Sequence, residues 1–362
     1  MTRILVALLA TSVLLPGADP YRERWRSVAD HLIQTPPESY PFNWGEGVQK
    51  IGLMKIYERT RDTRYLAYVE KWTALYLPRD VSELLAIGPE ARKERRGYCG
   101  HWSPGTAILY LYQARKQREH LRLAEQVAGF IRDGAERGPE GALGHWQGSH
   151  QLWVDTLYMA CPLLAGLGKL RRKPEYIEDA AGQILAFARR LQDEKTGLFY
   201  HMWDWQTGER SPGLWGRGNG WVLMSLADTL EPMDRKHKSY AALKEVAGKM
   251  AAGLKATQDN EGMWRTVLDD ASSYQESSAT SMFCYGLLKL VRGKILPPSY
   301  EDVARRAWKA TNERYVNDGV VTGVSAGTGP RGPDYYKSVP VGSQTWGTGA
   351  YLMAGSEFDR LR

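Results

Sequence analysis

The chain has 362 residues and a formal net charge of +7, with 43% hydrophobic and 25% charged residues. Those fractions exclude a disordered, collagen-like or multi-span membrane chain, and the length gives a prior of about two domains unless the chain forms one large barrel. The aromatic share is skewed to 13 Trp and 20 Tyr against 6 Phe, a choice core packing alone does not favour because indole N–H and phenol O–H need partners when buried.

From the N-terminus, residues 4–15 form an apolar run that follows Arg3 and precedes Pro16-Gly17-Ala18. One positive charge, a short apolar core and small residues are the layout of a secretory signal peptide, and the run is too short to span a bilayer. Residues 1–18 are expected to be removed on export to the periplasm or the exterior, leaving 19–362 with no membrane partner. Cys99, Cys161 and Cys284 form no CxxC pair and no disulfide framework. The basic excess lies in short runs such as Arg92-Lys93-Glu94-Arg95-Arg96 and Arg171-Arg172-Lys173. These read as solvated segments rather than a nucleic-acid surface, while a mildly basic surface still favours an acidic substrate.

Residues 19–41 supply a first outer helix. Amphipathic helices then run from Tyr65, Leu121, Tyr176, Tyr240 and Tyr300, at steps of 55 to 64 residues. On the first of these, Tyr65, Val69, Trp72 and Tyr76 share one stripe. More apolar helices, rich in small residues, begin near Asn43, His101, Gln151, Gly218, Glu276 and Gln344. Helices that are apolar nearly all round are buried, so the alternation describes an inner ring wrapped by an outer one. The predicted fold is all-α, a single (α/α)6 barrel of six hairpins over 19–362. Strand-like alternation is confined to short stretches such as Val320-Val321-Thr322.

Ten of the 13 Trp fall in the loops before the inner helices or in their first turns: Trp44, Trp102, Trp146, Trp153, Trp203, Trp205, Trp215, Trp221, Trp264 and Trp346. Loops converging at one barrel end would let these indoles line a common mouth, suited to the apolar faces of sugar rings. The alternative is that they only seal the barrel end. Glu46, His101, His145, His150, Asp155, His201, Arg217, Asn219 and Glu276 share the same loops. The His spacings lack the i, i+4 pair of a helix-borne zinc site and no Cys joins them, so no metal or other cofactor is expected.

The segment Gln151-Leu152-Trp153-Val154-Asp155-Thr156-Leu157-Tyr158-Met159-Ala160 resembles the start of the catalytic helix in unsaturated glucuronyl and rhamnogalacturonyl hydrolases, glycoside hydrolase families 88 and 105, with 105 the closer match. Leu198-Phe199-Tyr200-His201-Met202-Trp203-Asp204 and Trp215-Gly216-Arg217-Gly218-Asn219-Gly220-Trp221 resemble that family's substrate-binding loops. The likeness runs from about residue 40 to the C-terminus. It implies the six-hairpin barrel reached above from periodicity.

It also implies hydration of a double bond in a 4,5-unsaturated uronic acid at the non-reducing end of lyase-generated oligosaccharides. One carboxyl group would protonate C4 and then act as base toward water at C5. Alone, Asp155 reads as an ordinary aspartate at a helix N-terminus; the flanking match makes it the catalytic candidate, with burial expected to raise its pKa. By the same matching, Arg217 would hold the uronate carboxylate with its planar fork. His201 would contact ring hydroxyls or the acidic group, and Trp215 and Trp221 would stack on the sugar. Trp44, His101, His150 and Asn219 complete the expected substrate-binding set. The family's second aspartate is replaced, since the stretch reads Cys99-Gly100-His101-Trp102-Ser103-Pro104-Gly105 and its position falls on Gly100. Two alternatives stand: an exo-glucuronidase on saturated uronides, pairing Asp155 with Glu46 or Glu276, and a non-catalytic carbohydrate-binding barrel.

Overall fold

The computed structural model describes residues 21–89 and 92–361, so the proposed signal peptide lies outside the described residues. Two kinds of helix alternate along the chain. Helices α1 (Arg22–Leu32) and α2 (Trp44–Thr60) are followed by α3 (Thr63–Ala74) and the short α4 (Val81–Ala86). Next come α5 (Ser103–Arg115), α6 (Arg118–Gly129), α7 (Asp155–Arg171), α8 (Pro174–Leu191), α9 (Gly216–Leu230) and α10 (Tyr240–Thr257). The chain ends with α11 (Ser277–Arg292), α12 (Ser299–Arg314), the short α13 (Pro333–Ser338) and α14 (Thr345–Phe358).

Burial separates the two kinds as the periodicity requires. Helix α3 buries Tyr65, Leu66, Val69 and Trp72 along one face, and α8 does so with Ala180, Ile184 and Phe187. In α9 every residue is buried, because it is covered both by the outer helices and by its inner neighbours. The inner helices contact in sequence: α2 on α5, α5 on α7, α7 on α9, α9 on α11 and α11 on α14. Helix α14 then returns to α2, which closes the six-hairpin ring. At that seam the two backbones pass directly, a Cβ on Gly52 falling 2.7 Å from the Gly349 carbonyl oxygen and 3.0 Å from its Cα. The Trp25 indole N–H donates to the Leu352 carbonyl at 2.9 Å, fastening α1 over the seam.

The two ends of the ring differ. Arg61, Lys116 and Arg172 sit at φ 58°, 60° and 55°, left-handed caps that end α2, α5 and α7. The next outer helix starts two residues later in each case. Near this end the buried Lys289 Nζ lies 2.6 Å from the buried Asp228 and 2.7 Å from Glu231 at the surface. All the long connections therefore gather at the opposite end. Three small antiparallel pairs brace them: β1 (Gln151–Trp153) with β2 (Met202–Asp204), β3 (Val316–Asn317) with β4 (Val320–Val321), and β5 (Val324–Ser325) with β6 (Val341–Gly342). No described helix is long and apolar enough to cross a membrane.

Substituting Gly52→Ala forces a methyl group into the α14 backbone at the ring seam. The expected loss is about 1–3 kcal/mol, the usual cost of overpacking, read as a lower midpoint in thermal or denaturant unfolding. An unchanged midpoint would show that the seam is not closely packed.

Candidate active site

Asp155 opens α7, and its position follows from the strand pair just before it. Trp153 lies opposite Met202 in the β1–β2 ladder, and the Val154 N–H donates to the His201 carbonyl at 3.0 Å. Two loops distant in sequence are thereby clamped together. Asn219 tightens the clamp from α9: its Oδ1 accepts the Phe199 N–H at 2.7 Å and its Nδ2 donates to the Phe199 carbonyl at 2.8 Å.

The clamp brings His201 Nε2 to 3.0 Å from Asp155 Oδ2. The His201 ring is fully buried, stacked on Trp215 at 4.3 Å and edge-on to Trp153 at 5.5 Å. Its Nδ1 lies 3.1 Å from the Tyr336 hydroxyl. That hydroxyl accepts the Arg331 backbone N–H at 3.2 Å and is also hydrogen-bonded by Ser211. With its lone pairs so occupied, Tyr336 donates its proton to Nδ1. The second imidazole nitrogen, Nε2, then carries hydrogen and donates to Asp155.

Burial works to raise the Asp155 carboxyl, but the hydrogen bond from His201 Nε2 and the positive charge of Arg217 behind it outweigh it and hold the group below the ordinary value. The expectation that burial raises this pKa is therefore corrected: in the unliganded molecule Asp155 is an ionised carboxylate. His145, wholly buried, is pushed down to about 3 and is neutral. It stacks on Trp153 at 4.2 Å, with its Nδ1 2.8 Å from the Thr156 hydroxyl.

Asp155 faces a cavity of about 320 Å³ at the loop end, where it is the one carboxylate among the described lining residues. Trp44, Trp153 and Trp215 supply aromatic wall, and Arg92, Arg95, Arg217 and Arg331 supply positive charge. Among the described residues no group of three or more His, Cys, Asp or Glu is arranged to hold a metal.

Of the expected set, Asp155, Trp44, Trp215 and Arg217 reach this wall, and the others require correction. His201 is spent on Asp155 and Tyr336, so it positions the carboxylate rather than meeting a sugar. Asn219 has its side-chain amide committed to the backbone of Phe199 and Trp215. Trp221 is fully buried behind Trp44 and stacked on Tyr158. His101 is buried behind the Tyr98 ring and pushed down to about 4 by that burial. His150 lies outside the cavity, 3.4 Å from Glu136 and edge-on to Trp205. Trp102 and Trp264 are also fully buried, so part of the indole cluster seals the barrel end and part lines its mouth.

Arg217 reaches the wall with its fork already occupied. Nη1 donates to the Ser325 carbonyl at 2.9 Å, and Nη2 to the Ala326 carbonyl at 2.8 Å and the Thr328 hydroxyl at 2.9 Å. What it offers the cavity is its charge, since its Nε is buried. At Gly100 an added Cβ would fall 2.8 Å from Tyr98 Cζ and closer still to Cε1, so the Tyr98 ring fills the space of any side chain there. Tyr98, Arg331 and Tyr336 escaped the sequence reading, and Arg95 was read only as part of a solvated basic run. Tyr98 and Arg95 lie in the loop before α5, Arg331 in the loop before α13 and Tyr336 in the short α13 itself, segments without periodicity.

The Glycosyl Hydrolase Family 88 model matches residues 21–362. An unsaturated rhamnogalacturonyl hydrolase of Bacillus subtilis is 29% identical over 340 residues, covering 91% of this chain and 93% of that protein. An unsaturated 3S-rhamnoglycuronyl hydrolase of Formosa agariphila is 27% identical over 338 residues, covering 89% and 85%. The solved structure of a possible member of the GH105 family from Salmonella enterica superposes with a TM-score of 0.84 at 26% identity, over 99% of each chain.

The hydrogen-bond directions around His201 are open to nitrogen NMR. In the native protein Nε2 should carry the proton and Nδ1 should appear as an acceptor; Tyr336→Phe should mix the two tautomers. A native Nδ1–H signal would overturn the assignment.

Proposed function

Because the chain belongs to glycosyl hydrolase family 88, we propose that it removes a 4,5-unsaturated uronic acid from the non-reducing end of lyase-generated oligosaccharides by hydrating the C4=C5 bond. The observation that carries this reading is the single carboxylate, Asp155, in an otherwise cationic and aromatic cavity wall. Direct hydrolysis of a saturated uronide uses two carboxyl groups across the bond. Glu276 is committed to capping α11, accepting the Ala279 N–H at 2.7 Å and the Ser325 N–H at 2.9 Å. Glu46 lies outside the cavity wall, against the Thr345 hydroxyl. Hydration of an enol ether needs only one such group.

The uronate carboxylate enters a wall whose guanidinium groups outnumber its carboxylates, and an indole face of Trp215 or Trp44 meets the ring. Binding sets the substrate's negative charge near Asp155, which favours the protonated form that the empty site disfavours. Asp155 then delivers its proton to C4, and the positive charge left at C5 is shared with the ring oxygen. The resulting carboxylate, held in place by His201, takes a proton from water as its oxygen bonds to C5. The C5 hemiketal opens by breaking its bond to the ring oxygen. C1 becomes a hemiacetal that expels the aglycone alcohol, so the net change is addition of one water.

We further propose that residues 1–18 direct export to the periplasm or the exterior, supported by the charge and apolar run there; a secreted chain whose intact mass still includes those residues would overturn this.

The enol-carboxylate absorbance of the unsaturated sugar should disappear during turnover, and Asp155→Asn should lower kcat by about 10²–10⁴-fold, the range of general acid–base catalysis. The pH profile tests the charge argument. The depressed pKa of the free enzyme sets the alkaline limb of kcat/KM, whereas bound uronate raises that pKa, so the alkaline limb of kcat should lie at higher pH. Sugar release with the absorbance unchanged would favour saturated uronides, and full activity in Asp155→Asn would overturn the mechanism.

A further inference from the structure

Asp155 has to act twice in the hydration, and only one of its oxygens is free to do so. Oδ2 holds the hydrogen bond from His201, while no described residue hydrogen-bonds to Oδ1. The side chain is 19% exposed, toward the cavity. While Oδ1 delivers its proton to C4, it cannot also hold the water that is to add at C5. That water needs another anchor, because an ordered water is fixed by two or more polar partners.

Three side-chain hydroxyls belong to the described cavity wall, and two of them are spent. The Thr328 hydroxyl donates to the Ala326 carbonyl at 2.7 Å and accepts from Arg217, and that of Tyr335 accepts the Gly329 N–H at 3.4 Å. The third, on Tyr98, has no hydrogen-bond partner among the described residues. Its ring is held fast, pressed on Gly100 and edge-on to His101 at 5.7 Å and to His145 at 5.4 Å. Burial, with the Asp155 carboxylate nearby, pushes the phenol well above its ordinary value, so the hydroxyl keeps its proton and is a standing donor. Asp155 is thus close enough to act on the phenol, yet the two share no direct hydrogen bond. One water fits such a separation.

From this we propose that the Tyr98 hydroxyl holds the water that adds to C5 and presents it to Asp155. The inference rests on the hydration reading and gives the reacting water a second protein contact. Tyr98 donates to the water oxygen throughout. Once C4 has taken the proton, the water turns one O–H toward Oδ1, which accepts that proton as the oxygen bonds to C5. The other hydrogen stays on the new C5 hydroxyl, and Tyr98 gives up none. Gly100 serves the same end, since a side chain there would displace the ring that carries the hydroxyl.

Two measurements on the full chain test this. A high-resolution crystal structure of the native protein should show a water within hydrogen-bond reach of both Tyr98 Oη and Asp155 Oδ1. Tyr98→Phe should lose that water while its ring stays on Gly100. A water bonded to Asp155 alone, or one unmoved in the variant, would overturn the proposal whatever the substrate. In turnover of an unsaturated disaccharide, Tyr98→Phe should lower kcat about tenfold, the worth of one hydrogen bond, with KM unchanged and melting temperature as the check on folding. Added methanol competes with water at C5, where it leaves a methyl ketal that keeps the aglycone. Its share of the product should grow in the variant, because water is no longer preselected. A purely structural role for Tyr98 would slow both outcomes by one factor, so an unchanged product ratio would overturn the water-holding role alone. Absence of turnover of unsaturated disaccharides by the native protein would overturn the hydration reading and this role together.

Discussion

Closure of the inner ring is the constraint from which the rest of the molecule follows. Helix α14 must meet α2 across the chain's full length, and it does so with Gly349 against Gly52, where any side chain would hold the backbones apart. A closed ring of hairpins leaves only two places for connections. At one end α2, α5 and α7 turn outward through left-handed residues with almost no loop, above a buried cluster around Asp228 and Lys289. The long loops therefore all emerge at the other end. Residues as distant in sequence as Trp44, Asp155 and Arg331 line one cavity because the ring gives their loops nowhere else to converge.

Within that cavity the governing physics is the cost of burying a carboxylate. Desolvation pushes Asp155 toward its neutral form, and His201 opposes that push with a hydrogen bond from Nε2, backed by the Arg217 charge. His201 can do so only because Tyr336 donates to its other nitrogen and the β1–β2 clamp fixes its backbone. The loop that carries Arg331 is tied to the same apparatus. Arg217 holds it at Ser325, Ala326 and Thr328, while the Tyr335 and Tyr336 hydroxyls hold it at Gly329 and Arg331. Charge at the mouth and proton chemistry at the base thus share one scaffold.

The helical skeleton was legible in the sequence. Inner helices expected near Asn43, His101, Gln151, Gly218, Glu276 and Gln344 begin at Trp44, Ser103, Asp155, Gly216, Ser277 and Thr345, because burial on all sides leaves an unmistakable run of apolar and small residues. The site was legible only in part. Asp155, Trp44, Trp215 and Arg217 were named from the resemblance and reach the cavity. His201, Asn219 and Trp221 were named with them but face inward, since a polar or aromatic residue that braces a loop looks the same in sequence as one that meets a ligand. Tyr98 was missed because the space its ring takes at Gly100 leaves no mark in the sequence.

By itself, the sequence determined the class of helix at each step, the six-fold alternation and the clustering of indoles and polar groups in the loops at one end. These depend on side-chain polarity repeated along the chain, which is a local and periodic property. Tertiary structure decided which member of each loop turns toward the cavity. It also decided that Asp155 is held ionised, that Arg217 spends its fork on a loop, and that Arg95 and Arg331 lie against aromatic rings at the mouth. Hydrogen-bond partners and desolvation come from neighbours far away in the chain, and no local pattern records them.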